Sequence, residues 1–400
     1  LGGTLSADFT FARSSNAWYF DSTGTLQKAS ANTPRFDYDP TTLVLRGLRR
    51  ENARTNSLRN NTMVGAVAGT PGTLPTNWIY GGSGKGTLAQ QIVATGTVNG
   101  MAYVDLRLSG TTSTTGVAIQ FDSSTFITAT AGQTWCSSVY LALQAGSFTN
   151  ITAAYIAFAG FDAGVVVESY FSSDIKSSIT STLKRFQISN TLIDVSTSAC
   201  GYVLLTFAAA TTIDVTLRIA LPQFEQGAFA SSPILTSTTA VTRASETITS
   251  TPISWYNATQ GTMFVQGILD GLPDSANTPR WAAINNGATS NELAIVESVS
   301  TQVRGNIRVT SALVFNQSSG ITMAALGTLK AALAAQAGVC SVSANGNDAV
   351  TASIASMPTG INKLSIGTDG AGANGIDGWF QSFSYYNTAL SSADIKTLTT

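Results

Sequence analysis

IDGWFQSFSYYNTALSSADIKTL, residues 376–398, reads as one aromatic-rich strand, a short turn and a final turn of helix. With side chains alternating at period two, Trp379, Phe383 and Tyr385 fall on one side of the strand, and Ile376, Phe380 and Tyr386 on the other. A strand that is apolar on both sides needs cover on both, which places it centrally in a layered β domain. Ser391 or Ser392 can cap the helix. Asp394, in the first turn, suits the positive end of the helix dipole.

Upstream of this stretch, residues 246–400 continue in the same idiom. GTMFVQGIL (261–269), ELAIVES (292–298), RGNIRVTSALVF (304–315) and KLSIGTD (363–369) read as strands. Asn345-Gly346 between two strand-like runs is a strong hairpin signal, because both residues tolerate positive φ. MAALGTLKAALAAQAG (323–338) conflicts: its Ala and Leu content favours helix. A strand over 328–336 is expected all the same, since it leads into the hairpin and pairing overrides propensity. Strand, turn and terminal helix in this order resemble the close of concanavalin-like, laminin-G-type jelly rolls. That resemblance covers roughly residues 250–400 and implies a fold whose members mostly bind sugars.

Residues 62–245 show the clearest alternation. In MAYVDLRLSG (101–110), Ala102, Val104, Leu106 and Leu108 share one face, and Tyr103, Asp105 and Arg107 the other. In TIDVTLRIAL (212–221), Ile213, Val215, Leu217, Ile219 and Leu221 oppose Asp214, Thr216, Arg218 and Ala220. Each is a half-buried antiparallel strand. GVAIQF (116–121), TWCSSVYLAL (134–143), KRFQISNTLI (184–193) and GYVLLTF (201–207) add more, which argues a two-sheet jelly roll. LPQFEQGAFASSPILTSTTAVTRASE (221–246) resembles the end of carbohydrate-binding-module-like jelly rolls in bacteriophage proteins, with Gln223, Glu225, Gly227, Ser231, Ser232, Pro233 and Arg243 in order. Glu225 and Arg243 are expected to fix the exit of the last strand; a ligand role is the alternative.

Residues 1–61 form a third block. Phe9, Phe11, Trp18 and Phe20 flank a turn near Gly24, a hairpin pattern, and Asp39-Pro40 precedes a short strand at Leu43–Leu45. Arg13-Ser14-Ser15, Phe20-Asp21, Pro34-Arg35-Phe36-Asp37-Tyr38 and Ala53-Arg54-Thr55-Asn56 together resemble the attachment module of bacteriophage or gene-transfer-agent head-spike and tail-fibre proteins. Relatives usually carry apolar residues at the positions of Arg49 and Arg50. The crowding of Arg46, Arg49, Arg50 and Arg54 suggests an oligomer or virion attachment surface, since Arg favours interfaces; a solvated or packing segment is the alternative.

Composition bounds the chemistry. Charged residues make up 11%, under half the usual share, and the formal net charge is −1, so no nucleic-acid or anionic-membrane footprint exists. No apolar run approaches a membrane span. The chain has no histidine, which removes Ser-His-Asp triads and imidazole metal sites. Cys136, Cys200 and Cys340 lie in no CxxC pair and read as small buried hydrophobes, with a Cys136–Cys200 bridge the alternative. No cofactor or metal site is indicated. The donor types left for an ion are Asp, Asn and backbone oxygens, a calcium set, and lectin jelly rolls by resemblance often hold a structural Ca²⁺. The chain opens at Leu1, as expected of a piece of a longer product or of a chain that has lost its first residues.

These readings converge on an all-β chain: a small hairpin-containing attachment module (1–61), a carbohydrate-binding-module-like jelly roll (62–245) and a laminin-G-like one (246–400). Sugar binding needs flat apolar platforms and planar polar groups. Tyr103, Asp105, Arg107, Asp214 and Arg218 offer both on one strand face, against the alternative of a plain solvated face. In the last block Trp281, Trp255 and Trp379 are candidates, with Trp379 expected in the core, and Trp78 with Tyr80 is a further platform or a packing pair. The function expected is a virion-surface, lectin-like receptor-binding protein that adheres to bacterial surface polysaccharide. Other virion proteins and sister copies, as a trimer by resemblance to phage fibres, are the expected partners. A purely structural decoration subunit and a capsule depolymerase are the alternatives. The latter needs two carboxylates at a set separation, and no pair is marked by spacing.

Overall fold

The computed structural model describes residues 5–272, 278–298 and 300–400. The chain falls into two compact units: Arg54–Arg243, and Leu1–Ala53 together with Ala244–Thr400. In this division residues 1–53 group with residues 244–400.

In the 54–243 unit, two five-stranded antiparallel sheets enclose one core. One runs Val165–Phe171, Ile151–Asp162, Ser198–Phe207, Gly116–Gln120, Ile79–Gly81. The other runs Lys184–Thr191, Thr134–Gly146, Thr212–Gln226, Met101–Thr111, Ala89–Val98. The alternation in the sequence sets the inner faces: Val104, Leu106 and Leu108 join Val215, Leu217 and Ile219 in the core, opposite Ile156, Phe158, Val203 and Leu205. Trp78 is buried there too, its indole N–H donating to the Asn60 carbonyl at 2.9 Å, so it is core and not a platform. Cys136, Cys200 and Cys340 are free and buried.

The exit of the last strand is fixed as expected. The Glu225 carboxylate accepts from Ser231 N (2.8 Å), Ser231 Oγ (2.7 Å) and Gln223 Nε2 (2.6 Å), while Arg243 Nη1 donates to the Ser231 and Ser232 hydroxyls at 3.2 Å. Arg54 donates to the Gln226 carbonyl and lies over the Phe229 ring. Gly227 is required beside it: its φ is +145°, and a Cβ there would fall on the Arg54 guanidinium.

The other unit holds two seven-stranded sheets around its own core. One runs Thr10–Ala12, Thr247–Ser250, Lys363–Ile366, Arg280–Asn285, Glu292–Glu297, Gln302–Val309, Ala312–Thr322. The other runs Val350–Ala352, Val339–Ala344, Thr328–Gln336, Gln260–Leu269, Gly378–Tyr386, Leu45–Arg50, Phe36–Tyr38. The Ala-rich segment is therefore strand over Thr328–Gln336. Asn345 (φ +45°) and Gly346 (φ +76°) make the turn that follows Val339–Ala344. Ser391 caps helix Ser392–Leu398 by accepting from Asp394 N.

The aromatic strand is interior, as its two apolar sides require, but part of its cover comes from the start of the chain. Leu45–Arg50 pairs with it and Thr10–Ala12 extends the opposite sheet, so residues of the opening block complete both layers. The strand at Leu43–Leu45 is displaced: Leu43 sits in the turn at φ +58°, and the strand begins at Leu45. One expectation about faces fails. The ladder shifts register between Ser382 and Phe380, leaving Gln381 as an extra residue. An extra residue reverses the alternation. Phe380, Phe383 and Tyr385 thus pack on the core while Trp379 lies on the other face.

The arginines of the opening block are the interior glue of this unit. Glu246 Oε1 accepts from Arg13 Nη1 (2.7 Å), Arg35 Nη2 (2.7 Å) and Arg35 Nε (3.0 Å), and Arg35 also donates to Glu51 at 2.7 Å. All four side chains are wholly buried. Arg49 joins Glu51 to Asp270 and stacks 4.0 Å above the Trp379 ring, whose indole N–H donates to Asp37 at 2.9 Å. Arg50 donates to the carbonyls of Glu246 (3.0 Å) and Ile376 (2.9 Å). Buried guanidiniums need such partners, because an unpaired buried charge costs several kcal/mol.

Candidate functional site

The ladder between Met101–Thr111 and Thr212–Gln226 brings the five candidates of the 54–243 unit to one sheet face. Arg218 stands opposite Asp105, Thr216 opposite Arg107, and Ala220 opposite Tyr103. Arg218 grips Asp105 with both prongs, Nε and Nη2 each at 2.9 Å, and its guanidinium carbon sits 3.7 Å from the centre of the Tyr103 ring. Arg107 binds Asp214 in the same two-pronged way, at 2.8 and 2.7 Å, and its Nη1 reaches Gln91 at 3.3 Å. The face therefore carries two parallel arginine–carboxylate forks and an aromatic ring stacked on one of them.

Burial grades across this face. Asp105 is 5% exposed, Tyr103 and Arg218 are half-buried, and the Arg107–Asp214 pair is open to solvent. The hydrogen bonds that Arg218 donates to Asp105, together with the carboxylate's charge, raise the Arg218 pKa. The Arg107 hydrogen bonds hold the Asp214 carboxyl below its ordinary range. The Tyr103 hydroxyl makes no hydrogen bond to the described residues. Its ring has room because Gly96 stands opposite it in the ladder, where a Cβ would come within 3.0 Å of the hydroxyl. Beyond Ala220 lies Tyr140, with Arg185 5.6 Å from its ring centre.

Sequence reasoning missed Gly96, Tyr140 and Arg185. The period-two pattern marks outward residues on one strand, while these three enter through cross-strand register, which sequence does not print. The arrangement presents planar donors, carboxylate oxygens and an aromatic ring side by side, the set that hydroxyls and C–H faces of a sugar need.

The other candidate residues separate from this face. Trp281 is fully buried at a register shift, edge-to-face with Phe380 at 5.7 Å, so it is a core residue and no saccharide platform. Gly267 makes its space, since a Cβ there would sit 2.8 Å from the Trp281 ring. Trp379 is buried under Arg49, and Trp255, 36% exposed, packs on Tyr385 at 4.9 Å. The arginine cluster read as an attachment surface is also corrected. Arg49 and Arg50 are buried in internal pairs, Arg46 is tied to Asp39 at 2.5 Å, and Arg54 is held against Gln226 and Phe229. Arg49 and Arg50 serve the interior of their unit, while Arg46 and Arg54 are half-buried and tied to neighbours in their own units.

No protein-family model and no curated protein matches the chain. Solved structures do. One is the CBM40 module of the Ruminococcus gnavus IT-sialidase bound to α2,3-sialyllactose, at 16% identity and TM-score 0.31, covering 36% of this chain and 84% of that one. A second is the tandem CBM22 domain of Paenibacillus barcinonensis Xyn10C, at 9% identity and TM-score 0.25, covering 80% and 99%. A third is the LG4-5 pair of the mouse laminin α1 chain, at 11% identity and TM-score 0.24, covering 76% and 94%. At such identities and scores no residue role or ligand passes from them to this chain.

Proposed function

We propose that this protein is a noncovalent polysaccharide binder, and that the Tyr103–Arg218–Asp105 and Arg107–Asp214 face is its site. The observation that carries the reading is the convergence of five residues, chosen on sequence, into two forks and a stacked ring on a partly open sheet face. Each carboxylate is already matched by a guanidinium, so the face is near neutral and pre-organised. Both forks keep unused edges: Arg218 Nη1 makes no hydrogen bond to the described residues, and each carboxylate oxygen has a second lone pair. A hexose diol can bridge such edges while its C–H face rests on Tyr103.

Catalysis is disfavoured at this face. A glycosidase acid needs a raised carboxyl pKa, and Asp214 is pushed the other way. The virion setting rests on the resemblance of the opening motifs and of residues 221–246 to bacteriophage proteins. On that reading the chain belongs to a phage or gene-transfer particle, sits on its surface with sister copies, and adheres to bacterial envelope polysaccharide. Weak single sites in such an array gain from effective concentration.

The test is a bacterial glycan array with the full chain beside Tyr103→Ala and Arg218→Ala. Binding by the parent, reduced tenfold or more in both variants, with melting unchanged in Tyr103→Ala, is the expected result. An unaltered array pattern in both variants refutes the site.

A further inference from the structure

The four sheet edges of the 54–243 unit are not alike. One sheet ends in Val165–Phe171 and Ile79–Gly81, the other in Lys184–Thr191 and Ala89–Val98. An edge strand offers main-chain N–H and C=O groups to any other strand, and proteins blunt it by shortness, charge or cover. Ile79–Gly81 is three residues long. Lys184–Thr191 opens on Lys184 and Arg185. Ala89–Val98 is covered at Ile92, which exchanges both main-chain bonds with Gly69, at 2.9 and 3.0 Å. Val165–Phe171 is neither short, basic nor covered: its sequence, VVVESYF, holds no Lys, Arg or Pro. Its one irregularity is an extra residue at Val167, and from Glu168 to Phe171 the ladder is regular.

The side chains at this edge are apolar and open to water. Val165 is 66% exposed, Val166 52%, Val167 39% and Phe171 47%. Beside them, Ile193 (77%) and Val195 (79%) are the most exposed large apolar residues among the described residues. Glu168 holds that segment in place: its carboxylate accepts from Ile193 N at 3.0 Å, Asp194 N at 3.3 Å and Ser196 Oγ at 2.9 Å. The Tyr170 hydroxyl donates to the same carboxylate at 2.6 Å, so the one charge on the strand is already matched within its own unit. Burying an aliphatic or phenyl side chain removes roughly 60–120 Å² of apolar area from water. At these exposures the six side chains offer roughly 200–400 Å² per copy. A standard interface buries about 800 Å² per partner, a little over half of it apolar. The patch approaches that apolar share, and the edge main chain adds polar area to it.

The ladder also sets which main-chain groups are free. Ser172 N donates to the Ile156 carbonyl at 2.9 Å. Main-chain groups alternate sides along a strand, so those of Tyr170 turn to Ile151–Asp162 while those of Ser169 and Phe171 turn outward. Two copies related by a two-fold axis at Ser169 pair these strands antiparallel and join two five-stranded sheets into one. In that register Tyr170 stands opposite Glu168 of the partner subunit, so no like charges meet across the axis. We infer that this edge is an isologous contact between two copies of the chain. Two-fold pairing needs the same surface on both sides, and an apolar edge whose only charge is satisfied internally is its own complement. Tyr103 and Arg218 lie on the other sheet, and the contact stands whether or not they bind sugar.

The experiment is analytical ultracentrifugation of the full chain from low micromolar to submillimolar concentration. A reversible dimer is expected. Val167→Lys and Ile193→Lys should each weaken it tenfold or more with melting unchanged, since both side chains are open to solvent in the single chain. Ser169→Cys, treated with diamide as oxidant, should give a disulfide-linked dimer, because residues directly opposite in an antiparallel ladder have Cα atoms about 4.5–5.5 Å apart, within reach of a disulfide. The parent should give none, as Cys136, Cys200 and Cys340 are buried. A monomer at every concentration overturns the inference. So does a trimer, a dimer unchanged in both lysine variants, or a Ser169→Cys chain that stays uncrosslinked.

Discussion

Glu246→Gln is the most searching test of how the 1–53 and 244–400 segments are held as one body. Glu246 Oε1 receives three N–H bonds from Arg13 and Arg35, and Oε2 receives the Glu51 backbone N–H at 2.9 Å, all out of contact with water. Glutamine keeps the shape but removes the charge, and it turns one acceptor into a donor facing donors. Removing one partner of a buried pair costs about 3–5 kcal/mol. Glu51 remains beside Arg35, which favours the lower end, about 3 kcal/mol. For a unit of about two hundred residues each kcal/mol is worth about 2–4 °C, so a fall of roughly 6–12 °C is expected. Calorimetry measures the fall, and hydrogen exchange locates it. Peptides spanning 10–12, 45–50 and 378–386 should lose protection while those spanning 101–111 and 212–226 keep it. A destabilisation below about 1 kcal/mol, or loss spread evenly over both units, would refute the reasoning.

Three other outcomes follow from the same structure. Glu297 is buried with neither oxygen hydrogen-bonded to the described residues; burial pushes its carboxyl up to about 7, while the nearby Trp281 N–H pulls the other way without reaching bonding geometry. Because the folded protein holds that proton more tightly than the unfolded chain, stability should fall as pH rises from about 4.5 to 7, by about 2–3 kcal/mol, and Glu297→Gln should abolish this slope in urea titrations. Gly227→Ala forces a methyl onto the Arg54 guanidinium at a φ of +145°, and should lower the melting of the 54–243 unit by at least about 1 kcal/mol in calorimetry. EDTA should leave melting unchanged, since Asp369 is occupied by Ala371 N, Ala373 N and Asn374 Nδ2, and Asp377 by Asn52; a drop of several degrees would reveal a bound ion.

Much of the architecture was legible because burial writes itself as alternation. Met101–Thr111 and Thr212–Gln226 show their inner faces residue by residue, and the Asn345-Gly346 turn marks a hairpin against the helical leaning of the Ala-rich run before it. The face shared by Tyr103, Asp105 and Arg218 was legible for the same reason. Gln381 was not: nothing in SYY or WFQ announces an extra residue, and one residue sends Trp379 to the opposite face. The opening motifs were visible as a signature, but their physical work was hidden. Arg13 and Arg35 meet Glu246 more than two hundred positions away, a pairing that no local pattern encodes. Reading the arginine crowd as a surface followed from the usual exposure of charge, which a buried network overrides. Trp281 misled in the same way, because an indole in an otherwise small-residue segment fits a platform or a core equally well.

The most direct measurement of the central claim is a crystal structure of the full chain with the oligosaccharide that gives the strongest array signal. The account predicts a sugar ring against Tyr103, with hydroxyls on the free edges of the Arg218–Asp105 and Arg107–Asp214 forks. A ring bound elsewhere in the 54–243 unit, with this face bare, would contradict it.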